Sequence, residues 1–95
     1  MNPLANYSRN SQPDNLPPFL SSTQIQSASV SCPPGQFVLG GGEERLDLAA
    51  QDMRTVSSFP LTINEWTVSW VCPSGGDCLA VDSNVNVWVT CADAP

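Results

Sequence analysis

The stretch Asn84 to Cys91, NVNVWVTC, constrains the fold more than any other in the chain. Val85, Val87, Val89 and Cys91 fall on one side of an extended backbone, and Asn84, Asn86, Trp88 and Thr90 on the other. Alternation of β-branched and aromatic residues with a period of two describes a strand with one buried face. EWTVSWVC repeats the device, with Trp66, Val68, Trp70 and Cys72 on one face. Two such strands demand partners that bury the same faces. The other β-compatible stretches are QIQSASVSC, QFVL and CLAV. Turns rich in Gly and Pro separate them, among them Pro33-Pro34-Gly35 and PSGGD. This spacing predicts an all-β fold, a small antiparallel sandwich or barrel over residues 24–95.

A domain of this size buries too little surface to be comfortably stable without staples or partners. Cys32, Cys72, Cys78 and Cys91 supply the staples. Four cysteines allow three pairings, and sequence does not decide among them. Our reading takes Cys72 with Cys78 and Cys32 with Cys91. Zinc is the rival reading, but structural zinc motifs show paired knuckles of two to four intervening residues, and only Cys72 and Cys78 lie close. A redox pair lacks its C-x-x-C spacing. Buried free thiols in a protein kept reduced are the third reading.

Residues 1–23, MNPLANYSRNSQPDNLPPFLSST, differ from the remainder of the chain. Pro3, Pro13, Pro17 and Pro18 oppose helix interiors and central strands. The segment has neither the basic start nor the apolar core of a signal peptide. We read it as an extended arm, with Leu4, Tyr7, Leu16, Phe19 and Leu20 as spaced apolar pegs that dock on a neighbour. The competing reading folds the arm back on its own domain. Asn6-Tyr7-Ser8 matches an N-glycosylation acceptor and is read as chance. Cysteines behind an arm that is not a signal peptide suggest a protein made in a cytosol and used outside a cell. A mature fragment cloned without its leader would look the same.

Charge and chemistry narrow the function. The net charge is −6, with three Arg and no Lys or His. This opposes nucleic-acid binding and adsorption to an anionic membrane. No stretch approaches the ~20 apolar residues of a spanning helix. Without His the usual general base and the commonest metal ligand are missing. Gly40-Gly41-Gly42 lacks the Lys and the following helix of a phosphate loop, and reads as a break after QFVL, a tight turn or a close backbone approach. Glu43 with Glu44, or Asp47 with Asp52, would need a cleft to act as a glycosidase pair and read better as surface charge. Over residues 43–55 the spacing of Leu46, Ala49, Ala50 and Met53 suits a helix, while Leu46 and Leu48 around Asp47 suit a strand. Ser57-Ser58-Phe59-Pro60 reads as its end. Trp66 and Trp70 read as core. Trp88, on the polar face of its strand, reads as a contact for a partner or subunit.

The order of these elements resembles a small extracellular β domain of bacterial secreted proteins and phage fibres. Its pattern runs Cys-Pro-x-Gly, Gly-Gly-Gly, Ser-x-Pro, Trp-x-Val and a terminal Val-Cys-Ala strand. Here the matching residues are Cys32 to Gly42, Ser58-Phe59-Pro60, Trp66-Thr67-Val68 and Val85 to Ala92. The resemblance implies a disulfide from Cys32 to Cys91 and no catalytic residues. It excludes the arm, and Cys72 with Cys78 are an addition to the pattern. The expected function is therefore non-enzymatic, without cofactor or metal. The chain reads as a virion structural protein, a phage capsid decoration or cement protein on the virion surface. Its arm would grip the major capsid protein or another virion protein, and it would form a small homo-oligomer such as a trimer. The alternative is a secreted or tail-tip receptor- or glycan-binding adhesin that works through Trp88.

Overall fold

The structure is a computed structural model and describes residues 7–93. Six strands form two antiparallel three-stranded sheets packed face to face. Sheet A has the order β1 (Ser8–Leu16), β6 (Ser83–Asp93), β3 (Gln36–Arg45). Sheet B has the order β2 (Gln26–Ser31), β5 (Glu65–Val71), β4 (Arg54–Thr62). The two strands with the cleanest alternation, β5 and β6, are the two central ones. A central strand is covered on its inner face along its whole length, so its pattern must be strict.

Val85, Val87, Val89 and Cys91 of β6 face Val68, Trp70 and Cys72 from the β5 side across the interior, and all seven are fully buried. Each large side chain so buried contributes about 1.5–3 kcal/mol. The sandwich is stapled by Cys32–Cys91 and Cys72–Cys78, the pairings read from the sequence. The first joins the end of β2 to β6 and so ties sheet B to sheet A.

Four local expectations are corrected. Gly40-Gly41-Gly42 does not break QFVL, because β3 runs through it as far as Arg45. Gly41 and Gly42 are there for close approach. A Cβ on Gly41 would stand inside the Trp66 indole, and one on Gly42 would lie 2.7 Å from Cζ2 of Trp88. Second, CLAV is not a strand. The Cys72–Cys78 loop is so tight that the chain leaves it in a 3₁₀ turn, Asp77–Leu79, with Ala80 N–H donating to the Asp77 carbonyl at 2.9 Å. Third, residues 43–55 divide between both readings. Glu43 to Arg45 finish β3, a four-residue helix α1 (Leu48–Gln51) follows, and β4 begins at Arg54. Asp47 starts the helix by accepting a hydrogen bond from the Ala50 N–H at 2.9 Å. Fourth, Ser57-Ser58-Phe59-Pro60 is the middle of β4 and not an end.

The boundary at residues 23 and 24 falls inside this folded unit. Residues 8–16 are extended, but the strand they lie along is the chain's own β6, in register from Ser8 opposite Cys91 to Leu16 opposite Ser83. Backbone donors left open on the β6 edge are satisfied by the nearest extended segment able to reach them, and a polar segment can do this without an apolar face of its own.

Candidate functional site

The two sheets do not close into a barrel. At the seam between β1 and β2, Asn10 Nδ2 donates to the Ser31 carbonyl at 3.0 Å. At the seam between β3 and β4 a denser polar set bridges the sheets. Arg45 Nε pairs with Glu43 Oε1 at 2.8 Å, Arg45 Nη1 donates to the Met53 carbonyl, and Arg45 Nη2 donates to Thr55 Oγ1 at 2.7 Å. The buried Trp70 indole N–H donates to the other oxygen of Glu43. Further along, Val38 N–H donates to the Ile63 carbonyl at 2.8 Å.

The two strands at that seam also carry exposed apolar side chains. The pairing register slips at three places, between Val38 and Gly40, between Thr55 and Ser57, and between Pro60 and Thr62. The extra residue at each slip is Leu39, Val56 or Leu61. Their exposures are 43, 47 and 51 %. A bulge takes its extra residue out of the strict alternation and re-aims it. Each of these bulges therefore presents a large apolar side chain to solvent. Phe59 and Ile63, 43 and 79 % exposed, stand on the same hairpin. Pro60 lies within this edge strand and has no N–H to offer an added strand.

The predicted site residues scatter. Leu4 lies outside the described residues. Tyr7 and Leu20 are exposed, 58 and 87 %. Leu16 and Phe19, read as pegs for a neighbour, are buried in this domain's own core at 4 and 2 % exposure. Leu16 ends β1 pointing inward, and the Phe19 N–H is held by the Cys78 carbonyl at 2.9 Å. Both side chains plug the open end of the sandwich, where burial is available within the chain.

Trp88 sits at the centre of the outer face of sheet A, half-buried. Its indole rests against Gly42, and the Arg9 guanidinium lies 4.6 Å from the ring centroid. A cation stacked on an indole is held by the ring quadrupole and covers a face that a sugar would use.

The carboxylates considered as an acid–base pair have separate structural tasks. Glu43 serves the seam. Glu44 accepts from Asn86 Nδ2 at 3.4 Å on the outer face. Asp52 accepts from the Asp77 N–H at 2.8 Å. Asp47 caps α1 and also takes the backbone and side-chain N–H of Asn84, at 3.0 and 2.8 Å. The Ala50 N–H, with lesser help from Asn84 and against partial desolvation, holds the Asp47 carboxyl below the ordinary 3.8.

The outer face of sheet B is a rank of small hydroxyls that satisfy one another. Ser27 and Ser69 are 2.7 Å apart, and Ser29 donates to Thr67 at 3.0 Å. The sequence alone hides the bulge residues, because Ser57 to Pro60 reads as the end of a segment and not as a strand. The run Phe59-Pro60-Leu61-Thr62-Ile63 is the available signal. Comparison with protein-family models, with curated proteins and with solved structures found no match to this chain.

Proposed function

We propose that this chain is a non-enzymatic structural protein of an exposed assembly, a decoration protein that clips onto a virion shell. It would grip its partner through the β3–β4 edge and not through Leu16 and Phe19. The observation that carries this reading is that Leu39, Val56 and Leu61 each occupy a β-bulge and are each about half exposed. Monomeric soluble proteins rarely expose contiguous apolar patches of large size, and such patches mark interaction surfaces. Bulges that turn apolar side chains outward at three places on one seam are unfavourable for an isolated domain in water. They become favourable when a partner covers them. Two disulfides suit service in an oxidising place. Pro60 steers the contact towards side-chain packing and away from strand addition.

A protein that binds the assembled shell and not its free subunits stabilises the shell by mass action. The test is co-sedimentation of the full chain with shells stripped of it, for wild type and for the triple variant Leu39→Ser, Val56→Ser, Leu61→Ser. The substitutions remove apolar surface without touching the buried core. Loss of binding with an unchanged melting temperature is the expected outcome. Decoration equal to wild type by the triple variant overturns the reading.

A further inference from the structure

We infer that β1 is an exchangeable strand, and that two copies of this chain swap it about a hinge at residues 20–25. The first support is covalent. Cys32–Cys91 and Cys72–Cys78 enclose residues 32–91 and leave β1 outside both loops. The strand can therefore leave its sheet while the rest stays stapled.

The second support is chemical. Register places Ser8, Asn10, Gln12 and Asp14 on the inward side of β1, opposite Cys91, Val89, Val87 and Val85. Only Leu16 on that side is apolar and buried. Pro13, opposite Asn86, gives the ladder no N–H. β1 is therefore held mostly by backbone bonds to β6 and by polar contacts such as Asn15 Nδ2 to Asn84 Oδ1 at 2.8 Å. A second copy reproduces every one of these contacts without change, along with the sockets for Leu16 and Phe19.

The third support points to the occupant. The hinge is a bend followed by a turn, with Gln24 N–H to the Ser21 carbonyl at 3.3 Å and Leu20 N–H to Gln24 Oε1 at 2.6 Å. Two large apolar residues bracket it, Leu20 at 87 % and Ile25 at 60 % exposure. In the closed chain both are left largely bare. In an exchanged pair the opened hinges run past each other at the two-fold axis, and Leu20 and Ile25 of one copy meet those of the other. Six extended residues span about 20 Å, enough to cross from one sandwich to the next. Such exchange is a low-cost route to a dimer, because most of the interface already exists within each copy.

The test uses full-length chains carrying a single added cysteine each, Asn15→Cys and Asn84→Cys. The two are mixed, refolded together at high concentration and oxidised. The native bridges are verified by peptide mapping. A bridge between positions 15 and 84 can form in this mixture only between chains. The expected result is a covalent dimer of twice the chain mass, linked at those positions and scarce when the chains are mixed only after folding. The double variant in one chain should shift from internal to intermolecular bridging as concentration rises. The pair Arg9→Cys and Thr90→Cys repeats the measurement at another register position. Light scattering on the unsubstituted protein after the same refolding should show a dimer. A monomeric unsubstituted protein with internal bridging only, at both positions and at every concentration, overturns the inference.

Discussion

At Gly41 and Gly42 the absence of a side chain has a definite purpose. Trp66 reaches between the sheets to lie on Gly41, and Trp88 lies outside on Gly42, so two indoles are seated on one bare stretch of β3. Gly41→Ala should drive a methyl into the Trp66 ring and cost about 1–3 kcal/mol in urea unfolding, as overpacking does. An unchanged midpoint would mean that Trp66 is seated elsewhere. The close-approach reading of these glycines is available from sequence, but which indole approaches is not. For Trp88 that depends on a strand pairing between residues about fifty positions apart, and for Trp66 on the packing of one sheet against the other. The task of Glu43 is hidden for the same reason. A carboxylate beside a glycine run looks like surface charge until β3, β4 and β5 bring Arg45, Thr55 and Trp70 to it.

At the scale of elements, β5 and β6 are legible because a strict period of two survives only where both neighbours and one face are fixed. Among the edge strands, β2 and the start of β3 are legible as QIQSASVSC and QFVL, while β1 and β4 are not. β4 is exposed along almost its whole length and carries two bulges, so its residues keep no period. β1 is polar and contains Pro13, so it reads as an arm. The short helix is half legible, since Ala49, Ala50 and Met53 are buried as the helical spacing requires while Leu46 is exposed.

Asp47 ties that helix to β6. Its carboxyl, held below 3.8 in the fold, contributes stability that is present above the unfolded value and lost as pH falls through the lower folded value. Acid titration followed by amide exchange should therefore loosen α1 and the start of β6 below about pH 4. Asp47→Ala should abolish that step and cost about 1 kcal/mol as a lost cap. Persistence of the step in the variant would assign it to another group. The two staples should rank by loop length. Replacing Cys32 and Cys91 by Ser should cost about 4 kcal/mol and replacing Cys72 and Cys78 about 2 in the chain-entropy model. The reverse order in thermal melts would refute the assignment of the long bridge as the main constraint.

For the whole molecule, the fold class is readable and the proposed contact surface is not. Alternation, turns and four cysteines point to a stapled all-β sandwich or barrel, and the sandwich is the architecture found. An interaction surface has no period and no motif. The proposed one rests on apolar residues that the completed fold leaves half uncovered, Leu39, Val56 and Leu61. The proposed shell contact and the exchanged strand use different sides of the molecule. A dimer joined through β1 would leave both β3–β4 edges free to bind.

The placement of the long bridge also determines how the molecule bears load. Pulled from residues 7 and 93, the chain cannot lengthen between residues 32 and 91, because the bridge carries the tension across that span. Of the described residues, only 7–31 and 92–93 can extend, about 85 Å of chain on the amino-terminal side. β1 would peel from its Ser8 end, one backbone bond after another, until the force met the buried Leu16 and Phe19. A molecule built in this way yields early and softly along β1, then resists where the core side chains and the long bridge take the load.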